Sequence, residues 1–276
     1  MPVLHALVLG IVQGLSEFLP ISSSGHLILV PELFEWHELT RDPVLNKTFD
    51  VALHVGTLAA ALWYFRAEIA RYVGAAVTSA RTRAIRTTDQ RVAWLLAISA
   101  VPGAIVGAAF SSTIDEELGD PILVGAMLIV FAAVLWIADK APQRRADGQF
   151  RTRDAVIMGI AQAVALQPGV SRSGVTISAG RWLRFDREAA TRLSFLMSIP
   201  IIAGAALYKG AKVAADGIPD DFVEPMIWGT IAAAISGFIA IAGLLRLLRS
   251  SSFAPFVIYR VVAGVAVIVI FASGVR

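Results

Sequence analysis

Cysteine is absent from the chain, which excludes disulfides, cysteine-ligated zinc and thiol catalysis and leaves the redox compartment unread. Charge is scarce as well. Only 16% of the 276 residues are Asp, Glu, Lys or Arg, against about 25% in soluble proteins. Meanwhile 57% are hydrophobic and the mean hydropathy is +0.70. This is the balance of an all-α polytopic membrane protein. No Lys or Arg precedes Arg41, and Glu17 and His26 interrupt the first apolar run. The N-terminus therefore lacks the basic leader of a signal peptide and is expected to stay in the mature fold. A net charge of +3 and a pI near 9.5 do not point to nucleic acid, because the basic residues are dispersed through short loops. In a membrane chain that distribution encodes topology.

What is present are apolar stretches long enough to cross a bilayer, near 49–66, 92–110, 121–139, 187–208, 225–247 and 253–273. The segments between them alternate in charge. One set carries Arg66 to Arg91, then Lys140 to Arg153, then Arg181 to Arg192, then Arg246 and Arg249; the other carries Glu32, Glu35 and Glu38, then Asp115 to Asp120, then Asp216 to Glu224. The positive-inside rule places the first set in the cytoplasm, with Lys47, Lys209 and Lys212 as mild exceptions outside.

Residues 3–30 and 154–183 do not read as single spans. Each holds two apolar pieces broken by a Ser/Gly/Pro loop, as in a re-entrant hairpin, and the span count makes the two enter from opposite faces. At an offset of 149, residues 10–25 fall on 159–174 with six of sixteen positions identical. Three crossings follow each hairpin. The chain thus reads as a single membrane domain, 1–276, built as an inverted-topology repeat of about 1–140 and 151–276, with a site at the repeat interface.

Non-helical backbone at membrane depth must face protein or a wet cavity. A Ser/Gly turn opening a helix offers amides and hydroxyls to an anion, assisted by the helix dipole. In the first loop these groups are Ser22, Ser23, Ser24 and Gly25; in the second, Ser171, Ser173 and Gly174, with Thr176 beyond. Ser23 and His26, three apart, share a helix face, and Gln13 lies one turn before Glu17, so a nucleophile, a base and an orienting acid are within range of one another. Arg172 suits bidentate phosphate binding and charge neutralisation in a transition state. Blander roles compete: Ser22 and Ser24 as helix caps, His26 as a packing residue, Glu17 as an interfacial acid, Gln13 and Gln162 as braces of the broken helices. Asp50 and His54 are read as a local structural pair, Arg260 as snorkelling to the cytoplasmic interface, and His5 and His37 as lone residues without a role.

The segments Gln13–His26, Pro168–Thr176, Phe49–Thr57 and Pro255–Arg260 resemble signatures of the undecaprenyl-diphosphate phosphatases of the bacitracin-resistance type. The resemblance extends over essentially the whole chain. It implies hydrolysis of undecaprenyl diphosphate to the monophosphate, which recycles the lipid carrier for peptidoglycan. It also implies a divalent cation, Mg or Ca, with Glu17 as its candidate ligand, and a cell-membrane location with the site open to the extracytoplasmic side. Carried over by motif, Glu17, Ser23, His26 and Arg172 are the catalytic candidates. Gln13 stands where many members carry an acid, which shifts more of any metal or base role to Glu17. Either Ser23 attacks with His26 shuttling its proton, or His26 attacks and Ser23 binds phosphate. A polyprenyl-phosphate transporter or flippase is the alternative function, since inverted repeats with broken helices also build transporters. Exposed apolar faces permit a homodimer.

Overall fold

The computed structural model describes residues 1–36, 43–110, 118–216 and 219–273. His37, Glu38, Arg41 and Asp115 to Glu117, named above, lie outside them. Eleven α-helices and no named strand occur among the described residues. Five are individually long and apolar enough to span a bilayer: α5 (Thr88–Ala109), α6 (Pro121–Asp139), α9 (Arg187–Asp216), α10 (Asp220–Leu247) and α11 (Ala254–Ala272). The sixth span starts as α3 (Pro43–Tyr64), which turns by 84° at Phe65 into α4 (Arg66–Thr82). All six apolar runs read from the sequence are helices.

Helix α4 was read as part of an arginine-rich loop. Its helicity has a local basis: Glu68 sits in the first turn and Arg81 in the last, each favourable to the helix dipole, and Arg83 closes it in the left-handed conformation at φ 51°. Trp94 of α5 donates its indole N–H to Ser79 Oγ at 2.6 Å, tying α4 to the bundle.

Both broken segments are helical hairpins. Helices α1 (Val3–Phe18) and α2 (Ser23–Leu33) form the first, α7 (Thr152–Val164) and α8 (Arg172–Trp182) the second. Helix α1 packs along α10, as its counterpart α7 packs along α5; α3 packs on α9, and α6 on α11. Inside lipid there is little hydrophobic drive between helices, so close packing of small residues carries association. In α1 the sequence Gly10-x-x-x-Gly14 meets Gly229, Ala232, Ala233 and Ser236 of α10. A Cβ at Gly10 would come 2.3 Å from the Gly229 carbonyl oxygen, and one at Gly14 2.5 Å from that of Ala233. Gly14→Leu is therefore expected to pry α1 off α10 and abolish a monodisperse folded fraction in size-exclusion chromatography. Gly14→Ala should lower stability by about 1–3 kcal/mol, the usual cost of overpacking, read as a drop in thermal midpoint.

Beneath the hairpins lies an aromatic core. Phe18, at the end of α1, meets Phe195 of α9 edge-on at 5.3 Å, and Phe65 meets the same ring at 6.4 Å; all three are fully buried. This anchors the residue next to Glu17. On the arginine-rich side, Arg181 is also fully buried, donating to the carbonyls of Asp139, Ala141 and Phe185. Arg187 grips the Asp139 carboxylate through two bonds of 2.6 and 3.1 Å. Cations thus close the C-terminal end of α6, where the dipole is negative.

Candidate active site

The two Ser-rich loops have the same backbone. Ser22 and Ser171, 149 residues apart, are the N-caps of α2 and α8, with φ/ψ of 80°/97° and 72°/111°. Such positive-φ conformations cost a non-glycine residue about 1–3 kcal/mol and persist only where the surroundings enforce them. Each serine hydroxyl accepts from the amide three residues on, Gly25 N–H at 3.4 Å and Gly174 N–H at 3.1 Å. The loops also grip each other. Gly169 N–H donates to Ser22 Oγ at 3.1 Å, and Ser173 Oγ donates to the Leu19 carbonyl at 3.0 Å.

Arg260 locks the pair. Its guanidinium is fully buried and donates to the carbonyls of Pro20 (3.2 Å) in the first loop, Gly169 (2.8 Å) and Val170 (3.0 Å) in the second, and Leu128 (3.1 Å) in α6. Snorkelling, expected from its place in the last span, does not occur. Carbonyls freed where the two loops leave helical geometry need donors, and water cannot supply them in a packed membrane interior.

The loops and helices α3, α5 and α9 enclose a cavity of about 310 Å³. Its lining includes polar residues, with Glu17, Ser23, Asp50, His54 and Arg172 among them. It also includes apolar residues, among them Leu166, Ile201, Ile202, Ala205 and Ala206. Glu17 is the hub. Arg172 Nη2 donates to its Oε1 at 2.7 Å, Ser23 Oγ donates to its Oε2 at 2.6 Å, and Gln13 Nε2 donates to Oε2 at 3.3 Å. Arg172 is steadied by the Ser194 carbonyl, 3.1 Å from Nη1. A serine hydroxyl at a helix N-terminus is thus bonded to a carboxylate that is itself paired with an arginine, side-chain types that nucleophilic attack and anion binding use.

The family model for the bacitracin resistance protein BacA matches residues 6–266. The chain belongs to this family. Among its relatives are the undecaprenyl-diphosphatases of Pelobacter propionicus, 44% identical over 100% of this chain and 99% of that protein, and of Pelotomaculum thermopropionicum, 45% identical over 99% and 98%. The undecaprenyl-diphosphatase of a Nocardioides species is 43% identical over 99% and 97%. Family membership and the apolar helices make the chain a multi-pass membrane protein.

Of the catalytic candidates, Glu17, Ser23 and Arg172 converge, whereas His26 does not line the cavity. Its Nδ1 faces the Ser22 carbonyl at 2.6 Å and must carry the proton there. Its Nε2 accepts from the Tyr259 hydroxyl at 2.6 Å, with the two rings stacked. With both nitrogens engaged, His26 braces α2 against α11 instead of reaching Ser23. Helical spacing put the two on one side of α2; it could not show that Tyr259 claims the imidazole.

Among the expected binding residues, Ser24 and Ser171 line the cavity, and Gln13 backs Glu17. Ser22, Gly25, Ser173 and Gly174 lie behind it and shape the loops, while Thr176 Oγ1 is bonded to Ser194 Oγ at 2.6 Å. The residue that sequence reasoning passed over is His54, read as structural but set 3.8 Å from Glu17 Oε2 through Nε2. Its bond to Asp50 is to the backbone carbonyl, 2.7 Å from Nδ1, which any residue four positions back would offer.

Glu17 as placed does not suit a divalent cation. Arg172 occupies one carboxylate oxygen, Ser23 and Gln13 the other, and no three His, Asp or Glu side chains gather as a cation cage among the described residues.

Proposed function

We propose that this protein hydrolyses undecaprenyl diphosphate to undecaprenyl monophosphate and phosphate, recycling the lipid carrier of peptidoglycan synthesis. The observation carrying the proposal is the Ser23–Glu17–Arg172 constellation at a helix start, in a cavity lined by both polar and apolar residues. The polar groups suit a diphosphate and the apolar side chains an isoprenoid chain. A flippase needs the arginine, but nothing in flipping calls for a serine hydroxyl held on a buried carboxylate.

Ser23 Oγ attacks the terminal phosphorus while its proton passes to Glu17 Oε2, 2.6 Å away. The bond to the bridging oxygen breaks, lipid monophosphate leaves, and the phosphoryl group stays on Ser23. Arg172 takes up the charge on the phosphoryl oxygens, and α2 and α8 point their N-terminal dipoles at the same region. A divalent cation, magnesium or calcium, bound with the diphosphate would supply neutralisation of phosphate charge.

The cavity is proposed to open to the extracytoplasmic side. Asp50 and His54 lie toward the end of α3 opposite Arg66, and Ile201 to Ala206 lie far along α9 from Arg187. The chain is further proposed to be one membrane domain of two repeats, about 1–140 and 151–276, able to pair as a homodimer through its apolar faces.

The deciding assay is phosphate release from undecaprenyl diphosphate by purified protein in detergent. Wild type is expected to release phosphate, a chelator to suppress release and added magnesium to restore it. Acid-quenched enzyme should carry phosphate on Ser23; phosphate recovered on His26 would remove the serine mechanism, and no turnover despite lipid binding would favour transport.

A further inference from the structure

The half-reaction that frees Ser23 needs a base the first half has not consumed. If Glu17 holds the serine's proton once the phosphoseryl intermediate forms, another group must take the proton of the attacking water. Gln13, the other side chain on Glu17 Oε2, is an amide and cannot. Both nitrogens of His26 are occupied outside the cavity.

His54 meets the requirement. Its Nδ1 lies 2.7 Å from the Asp50 carbonyl, an atom that only accepts, so Nδ1 carries a proton and the lone pair of the neutral form falls on Nε2. His54 lines the cavity, and its Nε2 lies 3.8 Å from Glu17 Oε2. The gap is too long for a direct hydrogen bond, so Nε2 is not tied to Glu17. The side chain is about one-third exposed, at 35%, and borders the cavity.

Building on the hydrolase reading above, we propose that His54, oriented by the Asp50 carbonyl and facing Glu17 across the cavity, is the general base of the dephosphorylation step. Water oxygen bonds to the phosphoseryl phosphorus, and the bond from phosphorus to Ser23 Oγ breaks. The water proton goes to His54 Nε2, and Ser23 recovers its own from Glu17. Phosphate leaves, and His54 gives its proton to solvent, which restores the starting state.

The test uses full-length protein in detergent and undecaprenyl diphosphate labelled on its terminal phosphate. In His54→Gln, steady-state phosphate release should fall about 100-fold, in the range of a lost general base. The first turnover should still yield one equivalent of lipid monophosphate, leaving label on Ser23. His26→Gln should build up no such label, because it removes a brace and not the base. Where glutamine does not fold, His54→Ala with added imidazole replaces it, and release restored by imidazole is the expected result. Wild-type turnover in His54→Gln, slowed turnover without a burst or label, or no imidazole rescue of a folded alanine variant each overturns the role of His54. Wild-type protein that releases no phosphate overturns the hydrolase reading as well, so the two failures are distinguishable.

Discussion

Arg172→Met is expected to lower kcat/KM for undecaprenyl diphosphate by roughly three to five orders of magnitude, the range seen when a phosphoryl-transfer arginine is supplied or withheld. Two losses combine. The transition state loses its cation, and Glu17, only 5% exposed, loses the guanidinium 2.7 Å from Oε1. Removing one partner of a buried ion pair costs about 3–5 kcal/mol, because the remaining charge is uncompensated. The companion variant Glu17→Gln/Arg172→Met removes both charges. Its thermal midpoint should recover much of the loss while its turnover stays at the level of the single variant. Recovery of turnover with stability would mean that Arg172 serves folding alone. Arg172→Lys should rescue little, since an ammonium cannot hold the Glu17 carboxylate, the Ser194 carbonyl and a phosphate together as a planar guanidinium can.

Arg260→Met is expected to be the most destabilising single change, with an effect on the order of 5 kcal/mol or more. Hydrogen bonds to charged groups contribute about 1.5–3 kcal/mol each, and buried acceptors left without donors add to the loss. At least four carbonyls, of Pro20, Leu128, Gly169 and Val170, lose their donor at once. Domain stabilities are only about 5–15 kcal/mol, so the variant should aggregate or fail to accumulate in membranes. Arg260→Lys, able to reach one or two of these oxygens, should fold with a lowered thermal midpoint. Near-normal stability of Arg260→Met, measured by thermal unfolding in detergent, would show that the loops are held by other contacts.

The clamp also explains how the loops keep positive-φ serines. Gly169, at φ +90°, has its Cβ position 2.6 Å from the Val124 carbonyl oxygen, so no other residue fits between the second loop and α6. With that approach and Arg260 in place, Ser22 and Ser171 are held in backbone states they would not choose alone.

Much of this protein is local in origin. Apolar runs of about 20 residues must become helices in lipid, since each helix satisfies its own backbone. That is why the six spans and both hairpins could be placed from the chain alone. The offset repeat likewise led to two helix starts capped by Ser22 and Ser171, because capping depends on residues three apart. Glu17, Ser23 and Arg172 were legible because polar groups in an apolar setting need partners, and each had few to choose from.

What local sequence does not contain is which partner a side chain selects across the bundle. His26 and His54 both stand on apolar helices, each with Nδ1 turned to a backbone carbonyl four residues back. Only the packing of α2 against α11 gives His26 Nε2 to Tyr259, and only the packing of α3 against the first hairpin leaves His54 Nε2 facing Glu17. Arg260 follows the same logic: a lone arginine in a terminal span has an interface within reach, and snorkelling is its default. It turns inward because two loops 149 residues apart bring unpaired carbonyls to one point, a demand created by long-range assembly.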